Sequence, residues 1–175
     1  GKDFPVFLHP ETNEEYALAR QERKVSPGHK GFSFAFSPKT TIEEDLIRRD
    51  ITINAIAKSQ EGDLIDPFNG QKDLKNKSIR HVSEAFSEDP LRVLRVCRFS
   101  AKLPEFSIAD ETFSLMKTMV KSKEFHQLSQ HRLWQELEKS LFYSNPSLFF
   151  LNLAKIGVMP EELYEKVNWP FQKSS

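Results

Sequence analysis

The spacing of apolar and polar positions changes near the middle of the chain. Before residue 83 the apolar runs are short, and segments 4–8 and 15–19 alternate as the two strands of a β-hairpin do. After residue 88 the apolar positions recur every three or four residues, which is the spacing of helices. The pattern predicts an α+β fold in two domains, a mixed α/β domain over residues 1–82 and an all-helical domain over residues 83–175.

Capping signals locate the helices within this pattern. Thr40 or Thr41 can cap a helix that begins at Ile42, and a break is expected near Asp50. Asp89 followed by proline marks the start of a long helix. The other predicted elements are a strand and turn at 63–70, a short helix at 71–77, an extended piece at 78–82, and helices near 109–119, 129–143, 146–155 and 160–166.

Residues 20–40 differ from their surroundings. They carry five Lys and Arg side chains, and Pro-Gly and Ser-Pro dipeptides interrupt them, so the sequence predicts a long irregular connection. Such connections are uncommon without a function, but a plain solvated loop is the alternative, and the residues alone do not decide between the two.

Composition excludes several classes of function. Twenty-five Lys and Arg balance 25 Asp and Glu, which excludes a protein that binds nucleic acid through bulk charge. The single cysteine, Cys97, excludes an internal disulfide and favours a reducing, cytoplasmic compartment. With only five scattered His beside it, the sequence argues against a zinc site. No apolar run approaches the roughly 18 residues of a membrane span, so no membrane partner is expected. The first residue is not Met, and a strand pattern follows at once, so we expect a piece of a longer chain.

The start of the long helix carries the most informative motif. Positions three apart on a helix are neighbours, so Asp89 and Arg92 can face one space, and Arg95 and Arg98 continue that line. A carboxylate accepts and a guanidinium donates, which complements the edges of cytosine and adenine but not those of uracil and guanine. Arg95 and Arg98 would suit the oxygens of a triphosphate. In the alternative, which spacing alone favours, Asp89 caps the helix, Arg92 pairs locally and the other arginines are solvated.

A second candidate is the group Arg48, Arg49, Asp50 and Asn54. The two arginines cannot share a helix face, so one is expected to pair and the other to be free. Asp50 and Asn54 are four positions apart and could both reach a ribose hydroxyl. The alternative is a helix with ordinary ion pairs to the acidic residues just before it.

A complete catalytic centre is missing from the motifs. Two-metal phosphoryl-transfer sites use Asp-x-Asp on a strand, where alternate residues share a face. Glu61 and Asp63 flank a glycine that indicates a turn, and Glu136 and Glu138 fall on a predicted helix, where their side chains point apart. The sequence therefore predicts nucleotide binding, with no catalytic and no metal-binding residue in this chain.

Five segments of this sequence resemble, in the same order, the bacterial tRNA nucleotidyltransferases known as CCA-adding enzymes, in the class II branch of the polymerase-β-like superfamily. The segments are GKDFPVFLHP…EEYALARQERK, IEEDLIRRDITINAIA, GDLIDPFNGQKDL, IRHVSEAFSEDPLRVLRVCRF and HRLWQELEKSL. The resemblance covers roughly residues 1–160. It implies part of a nucleotidyltransferase palm sheet followed by a helical neck, and the addition of C, C and A to the 3′ end of tRNA without a nucleic-acid template. CTP, ATP, the tRNA acceptor end and Mg²⁺ are the implied partners.

The resemblance also implies roles for individual residues. It matches Asp89 and Arg92 to an amino-acid template that pairs with the incoming base, which favours the template interpretation. It matches residues 20–40 to a flexible loop that helps to switch from CTP to ATP, and the helices from about 106 to the neck. The positions matched as nucleotide-binding are Arg49, Asp50, Asn54, Asp89, Arg92, Arg95 and Arg98.

In the family, a Gly-Gly motif and a metal-binding Asp-x-Asp precede the position of residue 1 here, and this sequence has neither. The resemblance therefore implies that the Mg²⁺ ligands lie outside this chain, which should be inactive alone. One rival is a bacterial poly(A) polymerase, in which a pair of basic residues precedes the phenylalanine; here Lys2 is followed by Asp3. The other rivals are partial CC- or A-adding enzymes and a non-catalytic fragment that only binds RNA or nucleotide.

Overall fold

The computed structural model describes residues 6–13, 15–17, 20–24, 32–36 and 40–159. The strands are β1 (Val6–Leu8), β2 (Glu15–Ala17), β3 (Arg20–Lys24), β4 (Phe32–Phe36), β5 (Ala57–Lys58), β6 (Leu64–Ile65), β7 (Ser78–Ile79) and β8 (Ser107–Ile108). The helices are α1 (Ile42–Leu46), α2 (Gly70–Lys75), α3 (Leu91–Lys102), α4 (Asp110–Met119), α5 (Lys123–His126), α6 (Gln130–Leu141) and α7 (Ser147–Lys155), with 3₁₀ helices at Thr52–Asn54 and Glu84–Glu88. The chain therefore has the predicted α+β fold.

Two antiparallel hairpins open the chain. The predicted hairpin is confirmed, because β1 pairs with β2 from Val6 opposite Ala17 to Leu8 opposite Glu15. The prediction of an irregular segment is wrong at β3 and β4, which pair over five residues each, and residues 25–31 and 37–39 lie outside the described residues. The alternation Phe-Ser-Phe-Ala-Phe in β4 has the period of a strand, and the neighbouring proline and glycine signals obscured it.

α1 begins where its capping signal predicted. Thr41 Oγ1 accepts a hydrogen bond from the Glu44 backbone N–H at 3.2 Å, and a Glu44 carboxylate oxygen accepts one from the Thr41 N–H at 3.0 Å. This reciprocal capping box satisfies two backbone donors that the helix itself leaves open. The helix ends at Leu46, so the predicted break before the Thr52–Asn54 turn is confirmed.

The helices predicted after residue 88 are present as α3, α4, α6 and α7. Two features were missed: α5, which is a single turn, and β8, which contradicts an all-helical second half. β8 pairs in parallel with β7, Ser78 opposite Ser107, and such a two-residue contact between distant segments has no local sequence signal. The helix predicted at 160–166 lies outside the described residues.

α3 forms the centre of the molecule and packs against α6 and α7. Its apolar face, which includes Val93, Val96 and Cys97, is fully buried. The same hydrophobic cluster contains Ile51 and Ile79 from the first half of the chain. One core therefore crosses the domain boundary predicted at residue 82, and the division into two domains stays a prediction. No helix in the described ranges is both long and apolar enough to cross a bilayer.

Candidate nucleotide-binding site

Asp50 lies at the centre of the candidate site and is 6% exposed. Its Oδ2 accepts a hydrogen bond from Arg95 Nε of α3 at 2.7 Å and forms an ion pair with Nη2 of the same side chain at 2.5 Å. Its Oδ1 accepts from Asn54 Nδ2 at 3.1 Å and from the Ile51 backbone N–H at 2.9 Å. Three of the predicted nucleotide-binding residues are thus in direct contact.

The surroundings of Asp50 fix its charge. Burial alone would raise the pKa of this carboxyl, but the charge of Arg95 and hydrogen bonds from Asn54, Arg95 and Ile51 outweigh it, so the pKa lies below its ordinary value. Asp50 is therefore ionised at neutral pH. It holds Arg95 in one orientation.

Asp89 and Arg92 lie at the start of α3 with their side chains held in place. Asp89 Oδ1 accepts from the Leu91 backbone N–H at 3.1 Å, and Oδ2 accepts from Arg132 Nη2 of α6 at 2.8 Å. Arg92 donates from Nη1 to the Ala85 carbonyl and from Nη2 to the Arg48 carbonyl, both at 2.7 Å. Helix capping and local pairing, the alternative interpretation, thus account for part of this geometry.

These contacts do not exhaust the recognition capacity of Asp89. A carboxylate has about four lone-pair sites, and the two contacts use two of them. The Arg92 guanidinium, which donates to two carbonyls, follows three positions later on α3, whereas Asp89 is extended and precedes the helix. Each of the two side chains is therefore oriented by its own partners, the carboxylate by Leu91 and Arg132 and the guanidinium by two carbonyls.

Arg98 contacts α6, whereas the other arginines of α3, Arg92 and Arg95, contact residues that precede α3. Its Nε donates to Glu136 Oε2 of α6 at 2.5 Å, its Nη1 donates to the Tyr143 hydroxyl at 2.9 Å, and its guanidinium lies 4.6 Å from the Phe99 ring centre. The alternative of solvated arginines is wrong for Arg98, which is 7% exposed, and for Arg95, which is paired with Asp50. The role of Arg98 toward a triphosphate stays a prediction.

Arg48 and Arg49 both have ionic partners, so the expectation that one of them is free is wrong. Arg48 Nη2 lies 2.5 Å from Glu88 Oε2, and Arg49 Nη2 lies 2.7 Å from Asp45 Oδ2, four positions back. The Arg49 side chain is 53% exposed, and a surface pair of this spacing contributes only about 0.3–0.5 kcal/mol. A phosphate group could displace Asp45 from Arg49 at little cost.

Sequence reasoning missed the contribution of α6. Arg132 and Glu136 are four positions apart on a predicted helix, so they share a face, and that spacing was the available signal. Glu136 is buried while Glu138 is exposed, which confirms that these two carboxylates point apart. Within the described ranges, no three His, Cys, Asp or Glu side chains gather as metal ligands do.

Comparison with known families gives two matches. Residues 6–80 match the poly A polymerase head domain. Residues 105–163 match a family described as the probable RNA and SrmB-binding site of polymerase A. The candidate site uses residues of the first match and of α3, which lies between the two matched regions, and α6 of the second match contributes Arg132 and Glu136.

Individual relatives are more specific. The chain is 58% identical over 159 residues to the CCA-adding enzyme of Coxiella burnetii. The aligned region covers 91% of this chain and 42% of that protein. It is similar to the Bacillus stearothermophilus CCA-adding enzyme solved with CTP, with a TM-score of 0.73 and 30% identity over 91% of this chain and 38% of that one. For the Thermotoga maritima CCA-adding enzyme complexed with tRNA, the TM-score is 0.65 and the identity 30%, over 94% and 39% of the two chains.

The chain thus spans about two fifths of the length of these relatives. The similarity runs through both the strand-containing part and the helices, and it agrees with the order of the motifs in the sequence. The chain belongs to the family of the CCA-adding enzymes.

Proposed function

We propose that this chain is the nucleotide-selecting and neck portion of a tRNA nucleotidyltransferase that adds C, C and A to the 3′ end of tRNA. The tRNA 3′-hydroxyl would attack the α-phosphate of CTP or ATP and release pyrophosphate. Similarity to CCA-adding enzymes over 91% of the chain supports this proposal, and the arrangement around α3 gives it a chemical basis.

The observation that carries the proposal is the geometry of Asp89 and Arg92. The carboxylate is oriented by Arg132, and the guanidinium is oriented by two backbone carbonyls. Donors and acceptors that are oriented before the nucleotide binds discriminate well between bases, because a base with the reverse pattern leaves buried polar groups unpaired. Cytosine and adenine present the amino donor and ring-nitrogen acceptor that such a pair requires, whereas uracil and guanine do not.

The other residues would hold the sugar and the phosphates. We assign Asp50 and Asn54 to the ribose hydroxyls, since their side chains touch each other and Asp50 carries a charge. Arg49, Arg95 and Arg98 would bind the triphosphate. The contacts of Arg98 with Glu136 and Tyr143 use two of the five N–H donors of its guanidinium. Planar guanidinium groups match phosphate oxygens with two donors at a time.

Mg²⁺ is the proposed cofactor of the whole enzyme. In two-metal sites such ions stabilise both the attacking and the leaving oxygen. The described residues do not fit a Mg²⁺ site, because they bring no three carboxylate or imidazole side chains together. We therefore assign the metal ligands to a part of the enzyme outside these residues. A cytoplasmic location is proposed on the single cysteine, which suits a reducing compartment.

The test is nucleotide incorporation by the full-length protein. A tRNA transcript that lacks its three terminal nucleotides is incubated with Mg²⁺ and each labelled nucleoside triphosphate in turn. We expect C addition from CTP alone, A addition only after two C residues, and neither U nor G addition. A poly(A) polymerase, the candidate suggested by the matched head domain, would ignore CTP and extend RNA with several A residues. Absence of C addition with wild-type protein would overturn the proposal.

A further inference from the structure

Thr52 lies between the two residues assigned to the ribose, Asp50 and Asn54, and is 2% exposed. Its backbone is fixed from one side. The Thr52 N–H donates to the Arg80 carbonyl at 2.8 Å, and residue 51 forms an antiparallel bridge with residue 81. The segment that carries Asp50 is therefore held against the segment that follows β7.

The Thr52 side chain is fixed from another side. Its hydroxyl donates to Asp73 Oδ2 at 2.7 Å, and Asp73 on α2 is 4% exposed. Arg80 Nε donates to the same carboxylate, at 3.1 Å from Oδ2 and 3.3 Å from Oδ1, and Arg80 also forms an ion pair with Glu111 of α4. One buried carboxylate thus binds both Thr52 and the residue whose carbonyl accepts from the Thr52 backbone.

α2 also approaches closely on the carbonyl side of Thr52. A Cβ atom on Gly70, the first residue of α2, would lie 2.3 Å from the Thr52 carbonyl oxygen and 2.7 Å from Ile56 Cγ1. Asp66 holds α2 at this distance, because its Oδ1 accepts from the Gly70 N–H at 2.6 Å. α2 therefore approaches the turn as closely as the absence of a side chain permits.

We propose that Thr52 and Asp73 are positioning residues for the nucleotide site: their buried hydrogen bond fixes the turn over residues 50–54 so that Asp50 and Asn54 meet a ribose in one orientation. This proposal rests on the proposed function. Asp50 needs such support because three groups converge on its carboxylate, and a shift of the turn would alter all of those contacts together. Small displacements of binding groups are costly, since a misplacement of about 1 Å can reduce a rate about a hundredfold.

The test compares three variants of the full-length protein. Thr52→Val keeps the shape of the side chain and removes the donor, whereas Thr52→Ser keeps the donor. Ser140→Ala is the matched control, because Ser140 is a fully buried hydroxyl on α6 that bonds to the Leu137 carbonyl at 2.6 Å, away from the turn. For each protein, the Kd of CTP, the KM and kcat of C addition, and the Tm are measured.

We expect Thr52→Val to raise the Kd and KM for both CTP and ATP about tenfold, with a smaller change in kcat. Thr52→Ser should stay close to wild type, and Ser140→Ala should lower Tm without changing KM. If Thr52→Val does not fold, Asp73→Asn replaces it. This variant keeps an acceptor oxygen for the Thr52 hydroxyl but removes the charge that pairs with Arg80. It should raise KM to a smaller extent than Thr52→Val.

Equal losses of Tm in Thr52→Val and Ser140→Ala, with wild-type KM in both, would overturn the positioning role and leave the network purely structural. A wild-type protein that binds CTP but adds no C would overturn the proposed function alone, and the CTP Kd values would still decide the positioning role. A wild-type protein that does not bind CTP would overturn both.

Discussion

Arg95 binds Asp50 across 45 positions of sequence, with both Nε and Nη2 within 2.7 Å of one carboxylate oxygen. The pair joins α3 to the turn after α1, and the predicted ribose ligand thus directly orients a predicted phosphate ligand. A bound nucleotide would touch both ends of this contact.

The first prediction concerns the stability of this pair. Arg95→Met leaves the buried Asp50 carboxylate without its counter-charge, and we expect a loss of about 3 kcal/mol, the lower end for buried pairs because Arg95 is 35% exposed. The double variant Asp50→Asn with Arg95→Met should recover much of this loss. Thermal unfolding of the full-length variants measures the change in the free energy of unfolding. If the loss in the double variant equals the sum of the losses in Asp50→Asn and Arg95→Met, the predicted coupling is contradicted.

The second prediction concerns base selection. Asp89→Ala combined with Arg92→Ala removes both the acceptor and the donor, so the preference for C and A over U and G should fall about a hundredfold or more while some transfer continues. Misincorporation of each nucleotide into tRNA is the measurement. Lys102→Ala, an exposed change at the other end of α3, is the control. A double variant that still refuses UTP and GTP as wild type does would contradict the template assignment.

Local signals were sufficient for the helices. The capping box of Thr41 and Glu44 and the Asp89-Pro90 start are encoded within four residues each, and both helices begin at or within one residue of the expected position. The sequence does not predict β3 and β4, because the proline and glycine between them are typical of an irregular loop, although they also permit a hairpin. β8 was missed because its partner lies 29 positions away and no turn links them.

The same limit applies to the candidate site. The short separation of Asp50 and Asn54 along the chain correctly suggested that they act together, but they meet across the turn that leads into the 3₁₀ helix Thr52–Asn54 and not on one α-helical face. Helical spacing could not show that Arg95 turns to Asp50 while Arg98, three positions on, turns to Glu136, because tertiary packing decides these directions. Partners that lie 38 and 45 positions away leave no periodic signal in a single sequence.

The third prediction separates structure from binding at Arg98. Glu136→Gln leaves the buried Arg98 guanidinium without its counter-charge and should cost about 3 kcal/mol of stability. Arg98→Met with Glu136→Met replaces the pair by apolar side chains of similar size, which is often close to neutral, so the Tm of this double variant should exceed that of Glu136→Gln.

The same double variant tests the predicted phosphate contact. Because Arg98 donates to Glu136 and Tyr143, we expect CTP affinity to change less in this variant than in Arg95→Met. Equilibrium binding of CTP to the full-length proteins provides the comparison. A loss of affinity as large as that of Arg95→Met, in a variant with restored Tm, would show that Arg98 contacts the nucleotide directly.

The last prediction is a pH dependence of stability that originates at His81. Burial lowers the pKa of this imidazole, Glu84 opposes the effect and Arg80 adds to it, so the pKa lies below its ordinary value of about 6.5. The unfolded chain therefore binds a proton at His81 more readily than the folded protein does. Stability should fall as the pH decreases below about 6.5, and this contribution should be fully present above that pH.

The surroundings of His81 give the variant to use. Its Nδ1 lies 2.8 Å from the Thr112 hydroxyl of α4, and its ring lies 5.7 Å from that of Phe86, so protonation would place a charge beside a buried aromatic ring. His81→Gln removes the titration, so the drop in Tm between pH 7.5 and pH 5.5 should be smaller than in wild type. His131→Gln, a change at an exposed position on α6, should keep the wild-type drop. Equal drops in His81→Gln and wild type would show that the acid sensitivity arises elsewhere.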